Sequence, residues 1–212
     1  MTRRGVFITF EGGEGAGKST QISRLAERLK KSGARVLATR EPGGSPGAED
    51  IRDLLVTGDP DRWTPLSETL LLCAARADHL DRLIRPALSR GEIVICDRFA
   101  DSTRAYQGAA GHIPDTAIHQ LNELTVGETW PDLTFILDID PDIGLARSGA
   151  RGGAARFEGK GLDYHRAVRE GFLNIARTEP YRCIVIDGAG SADDIEMQVW
   201  DAVEARLPKE RS

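Results

Sequence analysis

The sequence lacks the features that mark membrane-spanning, secreted and disulfide-linked proteins. No apolar run approaches the roughly 18 residues that a membrane span needs, and the apolar run over residues 6–10 is too short for a signal peptide. The 3 cysteines are widely spaced and form no CxxC pair, which favours buried reduced thiols over metal ligands or a disulfide: Cys73, Cys96 and Cys183. We therefore expect a cytoplasmic protein with no membrane partner.

Positive charge and metal-binding spacings are also scarce. The formal net charge is −5 and the pI is near 5.5, which disfavours a nucleic-acid partner, since such proteins usually have a basic domain. The 4 histidines show no metal-ligand spacing. An acidic chain can still bind phosphates where its cations are concentrated, so the positions of the arginines matter most.

Short apolar segments alternate with longer helical patterns. The short segments are nearly continuous in apolar character and rich in β-branched residues, as buried parallel strands are, and they cover residues 6–10, 34–40, 93–97, 133–139 and 183–187. Helical spacing predicts helices over residues 20–31, 66–89, 114–126, 162–178 and 192–207, with a break near Pro86. The alternation predicts an α/β fold, a single domain over residues 1–212 with a doubly wound five-stranded parallel sheet and helices on both faces.

A glycine-rich segment joins the first predicted strand to the first predicted helix and fits the pattern GxxxxGK[ST]. Its glycines let successive backbone N–H groups turn towards phosphate oxygens, and the helix adds the partial positive charge of its N-terminus. We expect Lys18 to reach the β- and γ-phosphates of ATP and Ser19 to ligate Mg²⁺. The predicted nucleotide-binding residues are Gly12, Gly13, Glu14, Gly15, Ala16, Gly17, Lys18, Ser19 and Thr20.

This phosphate loop alone does not distinguish kinases from other nucleotide-binding proteins. A GTPase would need a guanine-reading NKxD motif, which the sequence lacks, and motor ATPases are usually larger. A small phosphotransferase remains, and it needs an acceptor site near the carboxyl ends of the strands. Three segments are candidates for that site: TREPGGSPGAEDIR over residues 39–52, LLLCAARADHL over 70–80 and DRFADSTRAYQG over 97–108.

Together with the phosphate loop, these three segments resemble the thymidylate kinase family almost from end to end. The resemblance implies the P-loop nucleoside monophosphate kinase fold with a short lid, and Mg²⁺-dependent transfer of the γ-phosphoryl group of ATP to thymidine 5′-monophosphate. It also implies a homodimer. A kinase for another nucleoside monophosphate or a deoxynucleoside stays open as an alternative, as does a non-catalytic ATP-binding module.

The resemblance also assigns roles to residues of the acceptor segments. Asp97 ends an apolar strand, from which a carboxylate can hold Mg²⁺ through water. Arg98 corresponds to a catalytic clamp on the acceptor phosphate, a task that suits a bidentate guanidinium. Arg76 corresponds to the donor to the thymine carbonyl, and Glu14 to the carboxylate that accepts from the 3′-hydroxyl. The other expected acceptor contacts are Arg40, Glu41 and Pro42 on the phosphate side, Leu72, Ser102, Thr103 facing the base ring nitrogen, Tyr106 crowding the sugar 2′ position, and Gln107.

A lid is expected to supply positive charge to the migrating phosphoryl group. Some members of the family carry an arginine in the phosphate loop, where this chain has Gly15, so the chain resembles the type whose lid supplies the arginine. The predicted lid covers about residues 144–161, and its stretch from 147 to 161 is rich in glycine, alanine and arginine, as a mobile loop is. We expect Arg151 and Arg156 to be catalytic and Arg147 to help hold ATP; the alternative is a solvated basic loop.

Two positions depart from the family pattern. Leu72 stands where the family usually has a phenylalanine that stacks on the thymine ring, and a leucine packs but cannot stack. Ala155 replaces the aspartate of the usual DRxE sequence of the lid, while Arg156 and Glu158 remain. Both departures concern base binding and lid geometry, and neither removes the phosphate loop.

Overall fold

The computed structural model describes residues 4–59, 62–149 and 160–206. Five strands form one parallel sheet in the order β2-β3-β1-β4-β5. The strands are β1 (Phe7–Glu11), β2 (Val36–Arg40), β3 (Ile93–Asp97), β4 (Leu133–Asp138) and β5 (Cys183–Asp187). Phe10 of β1 is in register with Asp97 of β3 and with Phe135 of β4, so the carboxyl ends of the central strands lie together. The predicted five-stranded parallel α/β fold is confirmed.

Helices connect the strands and cover the sheet. They are α1 (Lys18–Lys31), α2 (Pro46–Val56), α3 (Pro65–His79), α4 (Arg85–Ser89), α5 (Ala100–Thr103), α6 (Asp115–Val126), α7 (Pro141–Gly149), α8 (Leu162–Thr178) and α9 (Ala192–Arg206). A π-helical turn over Leu80–Ile84 joins α3 to α4, and another over Arg104–Ala109 follows α5. Within the described part of the chain, no helix is long and apolar enough to cross a membrane.

Both faces of the sheet are buried. In α1, Ile22, Leu25 and Leu29 recur at helical spacing and pack, together with apolar residues of α9, on the face that carries Ile8 and Phe10. The opposite face packs against α4, α8 and the two π-helical turns, and its buried side chains include Phe7, Leu80, Ile84, Val94, Ile136 and Phe172. Alternate residues of a strand point to opposite faces, which is why strands covered on both sides have continuous apolar sequences.

The helices differ from the sequence prediction in several places, one of them being α5 with the π-helical turn that follows it, which the patterns do not predict. The patterns do not predict α2, although Ser45 precedes it and Pro46 lies in its first turn. The predicted break near Pro86 is present as an interruption of the α-helix between His79 and Arg85, but the chain stays helical there through the π-helical turn. That wider turn accommodates a residue that lacks an N–H and crowds the preceding turn. Helix α7 extends to Gly149, so residues 147–149 of the predicted mobile loop are helical, and residues 150–159 of that prediction lie outside the described part of the chain.

Candidate active site

The phosphate loop between β1 and α1 can be built only with glycine at two of its positions. Gly12 and Gly15 have φ angles of 129° and 67°, which favour glycine. A Cβ atom at Gly12 would lie 2.4 Å from the carbonyl oxygen of Leu137, and one at Gly15 would lie 2.0 Å from that of Gly144. The loop therefore rests directly on the backbone of β4 and α7, and this contact fixes its path at the carboxyl edge of the sheet.

Lys18 folds back over this loop. Its Nζ donates hydrogen bonds to the carbonyl oxygens of Gly12 at 3.1 Å and Gly13 at 2.9 Å, and only 7% of the residue is exposed. Burial and the nearby positive charge of Arg98 together lower the pKa of Lys18 to about 8, against the opposing effect of the surrounding carboxylates. An anion bound at the loop would relieve both effects, because it would restore a counter-charge to the buried ammonium.

Two oxygen ligands meet at the N-terminus of α1. The Ser19 hydroxyl donates to Oδ2 of Asp97 at 2.9 Å, which joins the first turn of α1 to the end of β3. Oxygen ligands of this kind suit Mg²⁺, which usually takes one or two protein ligands and completes its shell with water and phosphate. Among the described residues, no group of three or more His, Cys, Asp or Glu side chains could hold a metal alone. The site thus fits a cation that arrives with a nucleotide.

Arg98 lies beside the loop and faces Glu14. Its Nη2 donates to Oε1 of Glu14 at 2.8 Å and its Nη1 donates to the carbonyl oxygen of Gly12 at 3.0 Å. The Tyr106 hydroxyl donates to the same Glu14 oxygen at 3.1 Å. The positive charge of Arg98 lowers the pKa of Glu14 against the opposing effect of burial, and Lys18 lowers it further. Arg98 has a φ angle of 66°, a conformation rarely adopted by residues with a side chain, so the surrounding contacts must hold it.

Arg76 of α3 lies at the other end of the site and is almost fully buried. Its Nε donates to Oε2 of Glu41 at 2.8 Å, and its Nη2 donates to Thr103 Oγ1 at 2.9 Å and to the carbonyl oxygen of Phe99 at 3.1 Å. These partners hold the guanidinium at the wall of the cleft, where it can still meet a ligand.

A single cleft of about 380 Å³ joins the phosphate loop to Arg76. It brings together most of the site residues predicted from the sequence: Glu14, Gly15, Ala16, Gly17, Lys18, Ser19, Arg40, Pro42, Leu72, Arg76, Asp97, Arg98, Ser102, Thr103, Tyr106 and Gln107. Arg40 pairs with Glu49. Gln107 donates to Glu68 at 3.0 Å.

Some predicted residues do not line this cleft. Gly12 and Gly13 contribute carbonyl oxygens to Lys18, and Thr20 is exposed on α1. Arg147 lies on α7 and donates to the carbonyl oxygen of Gly188 at 3.0 Å. The predicted lid residues Arg151 and Arg156, like Ala155 and Glu158, lie outside the described residues.

The sequence patterns missed Arg52, which lines the cleft, and Glu11, which contacts two of the lining residues. Arg52 lines the cleft and donates to the Pro42 carbonyl oxygen at 2.7 Å, but α2, which carries it, was not predicted. Glu11 is completely buried and accepts hydrogen bonds from the backbone N–H of Phe99 at 2.7 Å and from the Ser102 hydroxyl at 2.6 Å. Burial and the nearby Asp101 raise the pKa of Glu11 to about 8. The sequence feature that could have indicated Glu11 is a single carboxylate at the end of an apolar strand.

Comparisons with known proteins identify the family of the chain. The family model described as thymidylate kinase matches residues 10–199. A thymidylate kinase of Caulobacter vibrioides is 60% identical over 204 residues, which cover 96% of this chain and 98% of that protein. One from Bradyrhizobium sp. strain ORS 278 is 51% identical over 207 residues, covering 96% of this chain and 92% of the relative.

A solved structure gives the same result in three dimensions. The crystal structure of thymidylate kinase from Ehrlichia chaffeensis has a TM-score of 0.78 and 37% sequence identity, and the match covers 94% of this chain and 99% of that one. Sequence and backbone therefore agree over nearly the whole length, and the chain belongs to the thymidylate kinase family.

Proposed function

We propose that this protein transfers the γ-phosphoryl group of ATP to thymidine 5′-monophosphate, giving thymidine diphosphate and ADP. One observation carries the proposal beyond family membership. Lys18 of the phosphate loop and Arg98 open onto the same cleft, so that two anionic groups can be held side by side with Arg76 at the far wall. A protein that only bound ATP would have no need of the second cationic group.

The phosphate loop and Lys18 hold the ATP phosphates in this proposal. Ser19 and Asp97 would hold Mg²⁺, which supplies charge neutralisation of the phosphates when bound. In the transfer, the bond between the γ-phosphorus and the β–γ bridging oxygen breaks, and a bond forms to an oxygen of the acceptor phosphate. That oxygen is already ionised at neutral pH, so no general base is required, and the residues of the site act by positioning and charge.

Arg98 holds the acceptor phosphate, while the other side chains of its cluster orient the sugar. Glu14 and Tyr106 form a hydrogen-bonded unit with Arg98, and a sugar 3′-hydroxyl would donate to Glu14. Arg76 and Thr103 then lie on the base side. Leu72 lines the cleft in the position from which the family's phenylalanine would stack on the base.

Comparing acceptors tests the proposed reaction directly. We expect ADP release that depends on added monophosphate, fastest with thymidine monophosphate and slower with deoxyuridine monophosphate, uridine monophosphate or thymidine. Lys18→Ala should abolish the activity, whereas Lys30→Ala, at an exposed position of the same helix, should leave it unchanged. A faster rate with another acceptor would favour the alternative kinase, and ATP binding without any transfer would favour the binding module.

We also propose that Arg151 and Arg156 supply positive charge to the phosphoryl group from a lid, with Arg147 on the ATP side. An arginine of this kind can contribute ~10³-fold or more in turnover. Alanine at Arg151 or Arg156 should therefore lower kcat far more than ATP affinity, while Arg166→Ala, at an exposed position of α8, serves as the control. Wild-type kcat in both lid variants would overturn this role.

We also propose that the protein forms a homodimer. Leu66 and Leu70 are one helical turn apart on α3 and are 53% and 48% exposed, and Leu124 on the neighbouring α6 is 83% exposed. Large apolar side chains on packed helices favour burial against another copy of the chain. The cytoplasmic location expected from the sequence stays a prediction.

A further inference from the structure

Arg76 has few hydrogen-bond donors left for a ligand. A guanidinium has five N–H groups. The Nε group and the two Nη2 groups donate to Glu41, Thr103 and the carbonyl oxygen of Phe99, and one Nη1 group points to Asn122 Oδ1 at 3.5 Å. Among the described residues this leaves one Nη1 N–H of a side chain that is 2% exposed but lines the cleft. Arg76 can therefore give a ligand a single, fixed hydrogen bond.

The carboxylate of Glu41 bridges Arg76 to a second buried residue. Oε2 of Glu41 accepts from Arg76, and Oε1 lies 3.1 Å from Nδ1 of His79. His79 is completely buried, and its Nε2 lies 2.8 Å from Thr39 Oγ1 on β2. Because an ionised carboxylate only accepts hydrogen bonds, Nδ1 of His79 is the donor to Glu41. The imidazole ring of His79 thus fixes the carboxylate of Glu41, and this carboxylate in turn fixes the guanidinium of Arg76.

The backbone around Glu41 and His79 holds both residues tightly. The N–H of Glu41 donates to the Asp97 carbonyl oxygen at 2.9 Å, which joins this segment to β3. A Cβ atom at Gly44 would lie 2.3 Å from Nε2 of His79, so the glycine-rich turn closes over the ring. Each oxygen of Glu41 already has a buried partner, Oε1 in His79 and Oε2 in Arg76, and these two contacts fix the orientation of the carboxylate at the wall of the cleft.

We propose that Glu41 and His79 are positioning residues for acceptor recognition: they fix Arg76 so that its remaining N–H meets a carbonyl oxygen of the acceptor base. This inference rests on the proposed function. His79 tests the inference most directly, because it is buried, does not line the cleft, and is connected to Arg76 through Glu41.

Two substitutions at position 79 separate the contacts of the ring. The amide nitrogen of His79→Asn can replace Nδ1 and keep the hydrogen bond to Glu41 while losing Thr39. The longer His79→Gln reaches Thr39 and loses the hydrogen bond to Glu41. We expect His79→Gln to raise the KM for thymidine monophosphate about tenfold, with the KM for ATP unchanged and kcat nearly unchanged. His79→Asn should stay close to wild type.

Acceptor analogues distinguish positioning from general destabilisation. In the wild type, a thymidine monophosphate analogue lacking one base carbonyl oxygen should bind more weakly, and the oxygen in contact with Arg76 is identified by removing each in turn. In His79→Gln, removing that oxygen should cost much less affinity, because the hydrogen bond is already impaired. Equal losses in wild type and variant would overturn the inference.

The outcomes also separate this inference from the proposed function. If the wild type does not phosphorylate thymidine monophosphate, the proposed function fails. If it does, and His79→Gln keeps the wild-type KM for that acceptor, only the positioning role fails. Should His79→Gln not fold, judged by thermal melting and the KM for ATP, Glu41→Gln replaces it with the same expected rise and the same analogue measurement.

Discussion

The surroundings of Lys18 in the fold disfavour the charged form of its side chain. Its ammonium group is buried, its hydrogen-bond partners are neutral carbonyl oxygens, and its pKa is about 8 rather than the usual 10.5. A bound triphosphate would add negative charge beside it and raise its pKa again. Above pH 8, nucleotide binding and proton uptake should therefore be coupled.

Calorimetry can measure this coupling. At pH 8.5, ATP titrated without acceptor should bind with uptake of about three quarters of a proton, seen as a difference in binding enthalpy between two buffers of different ionisation enthalpy. Lys18→Arg carries a permanent charge at the same position, so its titration should show no such uptake. Equal uptake in both proteins would mean that Lys18 is already protonated before ATP binds.

Asp101 and Arg182 form a buried ion pair behind the acceptor site. Asp101 accepts from Nη1 and Nη2 of Arg182 at 2.7 and 2.9 Å, and also from Arg104 at 2.9 Å. Burial alone would raise the pKa of Asp101, but hydrogen bonds and charge from Arg182, with a further contribution from Arg104, lower it. A lowered carboxyl pKa stabilises the fold above about pH 4, and that stabilisation is lost as the pH falls further.

Removing the Asp101 charge should destabilise the protein strongly. Asp101→Asn removes the fully buried partner of Arg182 and leaves only the partly exposed Glu179 to pair with it, so we expect the free energy of unfolding at pH 7 to fall by about 3 kcal/mol, measured by urea denaturation. Asp163→Asn removes an exposed partner of Arg166 and should change stability by less than about 1 kcal/mol. Similar losses in the two variants would contradict the buried pair's importance.

Motifs predicted which side chains the cleft would gather, but not the hydrogen bonds among them. Lys18, Ser19 and Arg98 follow apolar strands or a glycine-rich pattern, so their positions could be read from the chain. The hydrogen bonds that connect His79 to Arg76 through Glu41 could not be predicted from the sequence. Glu41 lies 35 positions before Arg76 and 38 positions before His79, and their contact depends on how the intervening chain folds. The roles of the gathered residues stay predictions.

Helix α7 contacts the phosphate loop through a pair of glycines. A Cβ atom at Gly144 would lie 2.3 Å from the Glu14 carbonyl oxygen, just as one at Gly15 would clash with Gly144. The helix that leads towards residues 150–159 is therefore in backbone contact with the nucleotide site.

A methyl group at this contact should separate the two elements. We expect Gly144→Ala to raise the KM for ATP by about tenfold or more and to lower the melting temperature, because the loop must move to relieve the clash. Gly149→Ala, where a Cβ atom meets no described atom within 4 Å, is the matched control and should behave as wild type. An unchanged KM for ATP in Gly144→Ala would show that the loop tolerates the displacement.

Elements with a long periodic pattern were predictable, and short or irregular ones were not. Helices α1 and α8 have strong apolar periodicity and were predicted close to their observed bounds. Helix α2 has only two buried residues, Ala48 and Leu55, so its pattern was too weak to read. The π-helical turn before Pro86 depends on how the backbone adjusts to a proline, which has no N–H to donate, and the local sequence does not specify that adjustment.

The order of the strands is a property of the fully assembled fold. The sequence predicted a parallel five-stranded sheet but did not predict the order of its strands. The order β2-β3-β1-β4-β5 arises from contacts between distant segments, and apolar runs carry no information about which run lies beside which. The predicted homodimer is also a property of the whole molecule, since it depends on the exposed surfaces of the folded chain rather than on sequence motifs.

Charge at the apolar surface of α3 should therefore affect assembly. We expect the double variant Leu66→Glu and Leu70→Glu to sediment as a monomer while the wild type sediments as a dimer. Met197→Glu, at a 56% exposed position of α9, should leave the dimer intact. A wild-type monomer in analytical ultracentrifugation, or a double variant that stays dimeric, would exclude this interface.

The touching glycines at positions 15 and 144 also constrain how this enzyme can evolve. An arginine cannot enter the phosphate loop at position 15 by one mutation, because its Cβ atom would overlap the backbone of α7. A related sequence with arginine at this position should also differ at the residue or helix that faces it. Across related sequences, these two distant positions should therefore covary.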